Sequence, residues 1–267
     1  MTQANRILVF DSGVGGLSIL DAIKQRLSGR EFVYASDNAA FPYGVKSQSF
    51  LIERVDAVLK ALIKQVQPDI IVVACNTAST LVLPSIRDHF KSPVVGVVPA
   101  IKPAAEQTRS GVIGLLGTPG TVAREYTQQL INEFAGSNTV VKVGSSRLVD
   151  IAELALRGIT PDSTELGKIL APLFADDRLD TIVLACTHFP LIIEDLKAAS
   201  PRLVNWIDSG AAIARRVESL LGTNPRGQTD SCTTNCQAIF TKASNEVAKL
   251  QAALLNFDCH SISFLEM

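Results

Sequence analysis

The sequence carries little charge and has no basic segment. Charged residues make up 19% of its 267 residues, and the formal net charge is −1. Neither a run of basic residues nor basic residues interleaved with aromatics is present, which argues against broad electrostatic binding to nucleic acid. We therefore expect no nucleic-acid partner.

The sequence also lacks a long apolar run. No run approaches the roughly 18 apolar residues that are needed to cross a bilayer. The first segment, MTQANRILVF, enters an apolar strand without the basic and long apolar regions of a signal peptide. These absences predict a soluble, cytoplasmic protein with no membrane partner.

Cysteines are few and odd in number: Cys75, Cys186, Cys232, Cys236 and Cys259. An odd count without a signal peptide predicts reduced thiols. Reduced thiols are available for chemistry, whereas disulfide-bonded cysteines usually are not.

Predicted strands and helices alternate along almost the whole chain. The stretch DIIVVAC (69–75) is apolar on both faces, as in a parallel strand that helices cover on both sides. This alternation predicts an α/β fold of two similar α/β domains with mainly parallel sheets. We place residues 1–97 plus 208–267 in the domain with Cys75, and residues 98–207 in the domain with Cys186.

Two further local patterns give specific expectations. Residues 77–90 have helical spacing, with Pro84 interrupting the helix. At the C-terminus, a strand over 238–243 and a helix over 246–255 are predicted to be the last elements.

Two stretches share one pattern, an apolar run that leads into a cysteine and then into polar residues. They are IIVVACNTAS (70–79) and IVLACTHFPL (182–191). A buried cysteine is often only a small apolar packing residue. However, ligands of open α/β sheets bind outside the carboxyl ends of the strands, and helix starts favour anions and thiolates.

A pair of such thiols suits one reaction class. Inverting a carbon centre by proton transfer requires a base on one face and an acid on the other. Two like groups in opposite protonation states serve both directions when their pKa values lie near the working pH.

The stretch FDSGVGGLS (10–18) predicts a tight turn between a strand and a helix. A dinucleotide site is the alternative, with Asp37 as the ribose-binding acid. The fingerprint G-x-G-x-x-G fails, however, since Ser18 occupies the third glycine position. We expect Asp11 and Ser12 to face a cleft, where Asp11 holds an ammonium group or assists a thiol; its alternative role is to cap the helix.

The loop SDNAAFPYG (36–44) offers Asp37, Asn38, Tyr43 and Gly44 as ligand contacts, stiffened by Pro42, although an ordinary turn is an equal alternative.

Other cofactor chemistries find weaker support. His188 follows Cys186 closely enough to act as a base or as a proton donor to a substrate carboxylate, and a hydrogen-bonding residue at the start of a helix is the third possibility. Cys232-x3-Cys236 with Cys259-His260 resembles a metal site only loosely, and incidental thiols are the preferred interpretation. No lysine lies in a context that points to a PLP Schiff base. We therefore expect no metal and no cofactor.

Together these motifs resemble those of the glutamate racemase family over nearly the whole chain. The motifs are FDSGVGG, SDNAAFPYG, VVACNTAS, GTPGTV, LACTHFPL and DSGAA. The resemblance implies a cofactor-independent isomerase that interconverts L- and D-glutamate and supplies D-glutamate for peptidoglycan. It also implies two α/β domains with the site between them.

The resemblance implies a role for each matching residue. Cys75 would take the α-proton of D-glutamate and Cys186 that of L-glutamate, assisted by Asp11 and His188, with His188 paired to Cys186. Asp37 and Glu153 would be further acidic residues at the periphery. The implied substrate contacts are Ser12, Pro42, Tyr43, Gly44, Asn76, Thr77, Thr118, Thr121 and Thr187.

The sequence departs from the family pattern at three places, with Thr80 after NTAS, Ala185 before the second cysteine, and Ser145-Ser146 where a Cys-Pro pair is common.

Two alternatives stay open: a racemase of aspartate or another amino acid, and a non-catalytic binding protein. A homodimer is the assembly considered.

Overall fold

The computed structural model describes residues 6–222 and 235–266. The chain divides into two compact units: one runs to Val97 and resumes at Gly210, and the other is Val98–Ser209. Each unit is a parallel sheet with helices, which confirms the predicted α/β class. Within the described ranges, no helix is long and apolar enough to cross a bilayer.

The strands follow in chain order. They are β1 Arg6–Asp11, β2 Glu31–Ser36, β3 Ile70–Val73, β4 Val94–Gly96, β5 Val112–Gly117, β6 Thr139–Gly144, β7 Thr181–Ala185, β8 Asn205–Ile207, β9 Asn235–Phe240 and β10 Cys259–Phe264.

The α-helices lie between them. They are α1 Leu17–Arg26, α2 Gln48–Val66, α3 Asn76–Leu81, α4 Leu83–Ile86, α5 Ile101–Gln107, α6 Pro119–Ala123, α7 Glu125–Phe134, α8 Arg147–Ala155, α9 Ser163–Leu170, α10 Ile193–Ala199, α11 Gly210–Leu221, α12 Asn245–Ala248 and α13 Gln251–Asn256.

The first unit is built on a sheet that has six strands among the described residues, in the order β10-β9-β2-β1-β3-β4. Every neighbouring pair is parallel. The central strands β1, β2 and β3 are almost wholly buried, because helices cover both faces. The helix α2 begins at the N-cap Ser47, whose hydroxyl accepts from Phe50 N–H, and buries one apolar stripe.

The second unit contains a sheet that has four strands in the order β6-β5-β7-β8 over the same described part of the chain. All its pairs are parallel. Strands β5 and β7 are buried along their full length. They pair in parallel with Gly117 opposite Ala185, so the carboxyl ends of these two central strands lie side by side.

Two local expectations need correction. Residues 77–90 do not form one interrupted helix: α3 ends at Leu81, α4 takes up Leu83–Ile86, and a 3₁₀ turn follows. Pro84 lies in the first turn of α4, where its missing N–H costs no hydrogen bond. At the C-terminus the predicted helix is two short ones, and the strand β10 follows as the last element of the described chain.

The expectation of reduced thiols is wrong for Cys236 and Cys259, which form a disulfide. Strands β9 and β10 pair in a register that places these two residues opposite each other, with their Cα atoms 4.4 Å apart. The disulfide also removes both residues as metal ligands. Cys232 lies outside the described residues, while Cys75 and Cys186 take part in no disulfide among them.

Asp180 ties the amino ends of β5 and β7 together. Its carboxylate accepts hydrogen bonds from the Thr108 hydroxyl at 2.7 Å and from the N–H groups of Arg109 and Ser110 at 2.8 and 2.9 Å. Burial raises the pKa of Asp180, but these hydrogen bonds outweigh it and lower the pKa to about 2, below the ordinary value of 3.8.

We expect Asp180→Asn to lower the free energy of unfolding by about 1–3 kcal/mol, since an amide NH₂ group, which cannot accept, replaces one of the two carboxylate oxygens and the charge is lost. Because the folded-state pKa is depressed, this contribution is present above pH 4 and disappears as the pH falls towards 2. Urea unfolding at pH 7 and pH 3 measures it. Asp177→Asn is the matched control, since that side chain is fully exposed. An equal effect of both substitutions would contradict the assignment.

Candidate active site

The first cysteine lies just beyond the carboxyl end of β3. Ala74 N–H still bonds to Phe10 O at 2.7 Å, which continues the sheet by one residue, and Cys75 is then the N-cap residue of α3. The Cys75 thiol is 7% exposed, and its Sγ lies 3.7 Å from Ser12 Oγ. Thus the carboxyl edge of the sheet brings Cys75 and Ser12 together.

Asn76 and Thr77 follow Cys75 in the first turn of α3, and both are buried. Asn76 Oδ1 is a buried acceptor with no hydrogen-bond partner in the part of the chain that the structure describes. A buried polar atom of this kind is costly unless a ligand or water satisfies it. Asn76 is therefore a strong candidate for a ligand contact beside Cys75.

Asp11 ends β1 and is completely buried. Its Oδ2 accepts the N–H of Gly16, the N-cap residue of α1, at 2.8 Å. Gly16 is required here, because a Cβ would lie 2.8 Å from Asp11 Cβ. The N-cap of α1 is thus Gly16 and not Asp11. Assistance by Asp11 to a thiol or an ammonium group stays a prediction.

The loop after β2 contains Asp37, Pro42, Tyr43 and Gly44. Tyr43 is buried and opens a 3₁₀ turn, Pro42 is half-buried and Gly44 is exposed. The Tyr43 hydroxyl donates to Asp37 Oδ2 at 2.7 Å. Burial raises the pKa of Tyr43 far above its usual range, and the charge of Asp37 raises it further.

Asn38, the remaining candidate of this loop, binds within the protein. Its Nδ2 donates to Lys242 O at 2.7 Å, and its Oδ1 accepts Lys242 N–H at 3.0 Å. Both polar atoms of the Asn38 side chain are therefore bonded to the backbone of the segment after β9.

The second cysteine, Cys186, directly follows β7 and is 7% exposed. Its Sγ lies 3.8 Å from His188 Nδ1, and His188 Nε2 lies 3.0 Å from Glu153 Oε1. Arg157, one turn further along the chain from Glu153, donates to Glu153 Oε2 at 2.7 Å. The structure therefore connects a thiol, an imidazole, a carboxylate and a guanidinium in one row.

The acceptor role of Glu153 fixes the histidine tautomer. When Glu153 is ionised it can only accept, so Nε2 of His188 carries a hydrogen, and in the neutral ring Nδ1 then presents its lone pair to Cys186. In this tautomer His188 can take the thiol proton and return it, and the charge that then forms on the ring faces Glu153.

The predicted threonine contacts of the second unit lie at the same sheet edge. Thr118 follows β5 and caps α6 by accepting Thr121 N–H at 3.2 Å, and the two hydroxyl oxygens are 2.8 Å apart. Thr187 lies between Cys186 and His188 and is buried. Because Gly117 pairs with Ala185, Thr118 and Cys186 leave neighbouring strands.

Known proteins match the chain in sequence and in fold. The family model described as Asp/Glu/Hydantoin racemase matches residues 7–217. The glutamate racemase of Pectobacterium carotovorum is 52% identical over 241 residues, which cover 89% of this chain and 85% of the relative. The chain belongs to the glutamate racemases. The resemblance noted in the sequence is thus confirmed.

Solved structures of glutamate racemases agree with this family assignment. The Escherichia coli structure, a complex with L-glutamate and the activator UDP-MurNAc-ala, has a TM-score of 0.91 and 43% identity, with 98% of each chain covered. A Bacillus anthracis glutamate racemase has a TM-score of 0.82 and 26% identity over the same shares. The two-domain α/β class is therefore that of the glutamate racemases.

Three residues that bind Asp37 or Glu153 were not predicted from the sequence. Arg54 and Thr241 both bind Asp37, and Arg157 binds Glu153. Arg157 follows Glu153 by four residues, a spacing typical of ion pairs on a helix that could have revealed the pair. Thr241 has no such local signal, since it lies 204 residues from Asp37.

Proposed function

We propose that this chain interconverts L- and D-glutamate without a cofactor by passing protons between the substrate and two cysteines, and so supplies D-glutamate for peptidoglycan in the cytoplasm. The main support is that each of these two thiols lies at the carboxyl end of a central strand beside a polar side chain, Ser12 at Cys75 and His188 at Cys186. The relative from Escherichia coli, crystallised with L-glutamate, supports the substrate.

In the proposed reaction, the Cys75 thiolate takes the α-proton of D-glutamate, and the Cys186 thiol donates its proton to the opposite face of the carbanion. The product is L-glutamate, and the thiol and thiolate have exchanged places. The reverse reaction starts from the Cys186 thiolate. No net proton is gained or lost. His188, together with Glu153, stabilises Cys186 in the protonation state, thiol or thiolate, that each direction requires.

Substrate recognition uses the polar residues around the two thiols. Asn76 Oδ1, which has no partner among the described residues, is the proposed acceptor for the α-ammonium group. The hydroxyls of Ser12, Thr77, Thr118, Thr121 and Thr187 are the proposed donors to carboxylates. Donors that are held in place before the reaction stabilise the negative charge that develops when the α-proton leaves.

The test is a racemisation assay with purified protein and no added PLP, started from each glutamate enantiomer and followed by circular dichroism. We expect both reactions to reach the same racemic end point, and aspartate, alanine and serine to react at least about 100-fold more slowly, which corresponds to about 2.7 kcal/mol of discrimination. Faster turnover of aspartate would replace the substrate assignment. No turnover of any amino acid would favour a binding protein. Sedimentation would test the homodimer separately.

A further inference from the structure

Asp37 is the centre of a hydrogen-bonded cluster in the first unit, which we name the Asp37 cluster and which consists of Asp37, Tyr43, Arg54 and Thr241. Oδ1 of Asp37 accepts from Arg54 Nη2 at 2.7 Å and from the Thr241 hydroxyl at 2.7 Å. Oδ2 accepts from Arg54 Nε at 2.9 Å and from the Tyr43 hydroxyl at 2.7 Å.

These contacts use the carboxylate fully. A carboxylate offers about four lone-pair sites, and four donors of the protein occupy the oxygens of Asp37. The side chain is completely buried, and the Arg54 guanidinium binds both oxygens and balances the charge. The hydrogen bond with Asp37 also raises the pKa of Arg54. Asp37 therefore has no acceptor site left for a substrate ammonium group or an α-proton.

Tyr43 is held by the same carboxylate. Its hydroxyl hydrogen is donated to Asp37, and its ring packs on Phe10 with the centroids 6.5 Å apart. What the loop can offer to a ligand is therefore the backbone at Tyr43 and Gly44. A Cβ added to Gly44 would meet nothing within 4 Å, so this backbone is open to approach.

A second set of bonds ties the loop to the segment after β9. The Thr241 hydroxyl accepts Ala39 N–H at 3.1 Å, and Asn38 exchanges two hydrogen bonds with the Lys242 backbone. Thr241 N–H continues the sheet by donating to Ser36 O at 3.1 Å. The loop is thus fixed from α2 by Arg54 and from β9 by Thr241.

We propose that Arg54 and Thr241 are positioning residues that act through Asp37 to hold the backbone of Tyr43 and Gly44 in place for the substrate, and that Asp37 is neither an acid nor a base in the reaction. The part that concerns the substrate rests on the proposed function. The rigidity of the loop does not depend on it.

Steady-state kinetics separate the two roles of Asp37. Arg54→Met is expected to raise KM for both glutamate enantiomers about 10-fold while kcat changes less than about 3-fold, because uniform binding is lost. Arg54→Lys restores one donor and should recover part of the change, and Thr241→Val should raise KM by about 3-fold. Lys60→Met is the matched control, since it removes an exposed cation from the same helix. A fall in kcat with unchanged KM in Asp37→Asn and Arg54→Met would overturn the proposal.

Amide hydrogen exchange of the substrate-free protein gives a readout without turnover. Residues 38–46 should exchange at least about 10-fold faster in Arg54→Met than in the parent or in Lys60→Met, because the loop opens locally. Unchanged exchange would overturn the positioning role, whether or not glutamate is the substrate. Faster exchange in a protein that does not racemise glutamate would leave the loop assignment standing and reject the proposed function alone.

Discussion

Replacing either Cys75 or Cys186 with serine is expected to lower kcat/KM for racemisation by at least about 10³-fold, the range over which general acid–base groups contribute. A serine hydroxyl is a far weaker acid than a thiol, so at neutral pH it supplies neither the base nor a matched acid. Both thiols are 7% exposed, and serine is slightly smaller than cysteine, so the fold should tolerate the change. Racemisation is followed by circular dichroism from each enantiomer in turn, and the fall in kcat/KM is the measured quantity.

The disulfide pair provides the matched control for this experiment. A double variant with Cys236→Ser and Cys259→Ser removes two cysteines that carry no thiol, away from the candidate site, so it should keep racemisation even if the loss of the disulfide lowers stability. Exchange of the α-proton in D₂O adds a second criterion. Each single variant should still exchange one enantiomer through its remaining thiol. Racemisation at the full rate by Cys186→Ser would show that the two-thiol mechanism is wrong.

The fold was largely predictable because strand and helix alternation is a local signal. Buried strands such as Thr181–Ala185 are continuous apolar runs that start or end at polar residues. The strand Cys259–Phe264 lacks this signal. It lies at the sheet edge, where most of its residues are exposed or half-buried, and it forms by pairing with β9. An edge strand of this kind depends on its neighbour more than on its own composition.

The candidate site was predictable to the extent that its residues follow strands. Cys75, Asp11 and Cys186 lie at the carboxyl ends of central parallel strands, so topology alone brings each beside its neighbours. The role of Asp37 was not predictable, because its partners come from α2 and from the segment after β9. An acidic residue that looks catalytic in sequence can have all its acceptor sites used by distant donors.

His188→Asn carries the second large expected effect, a loss of about 10²-fold in kcat/KM. Asparagine is close in size to imidazole but cannot exchange a proton with Cys186, which lies 3.8 Å from His188 Nδ1. The two enantiomers have equal free energy, so kcat/KM must fall equally in both directions. His89→Asn is the matched control, because His89 is exposed and contacts Asp56 on the surface.

Isotope effects show which thiol His188 serves. If His188 acts through Cys186, its removal slows the proton transfers at that thiol and makes them more rate-limiting. The primary isotope effect on kcat/KM should then rise with α-deuterated L-glutamate, whose deuteron Cys186 removes, and fall with α-deuterated D-glutamate, whose deuteron Cys75 removes. A merely structural role would slow both transfers and leave the two isotope effects close to those of the parent protein. Equal changes for both enantiomers would contradict the pairing of His188 with Cys186.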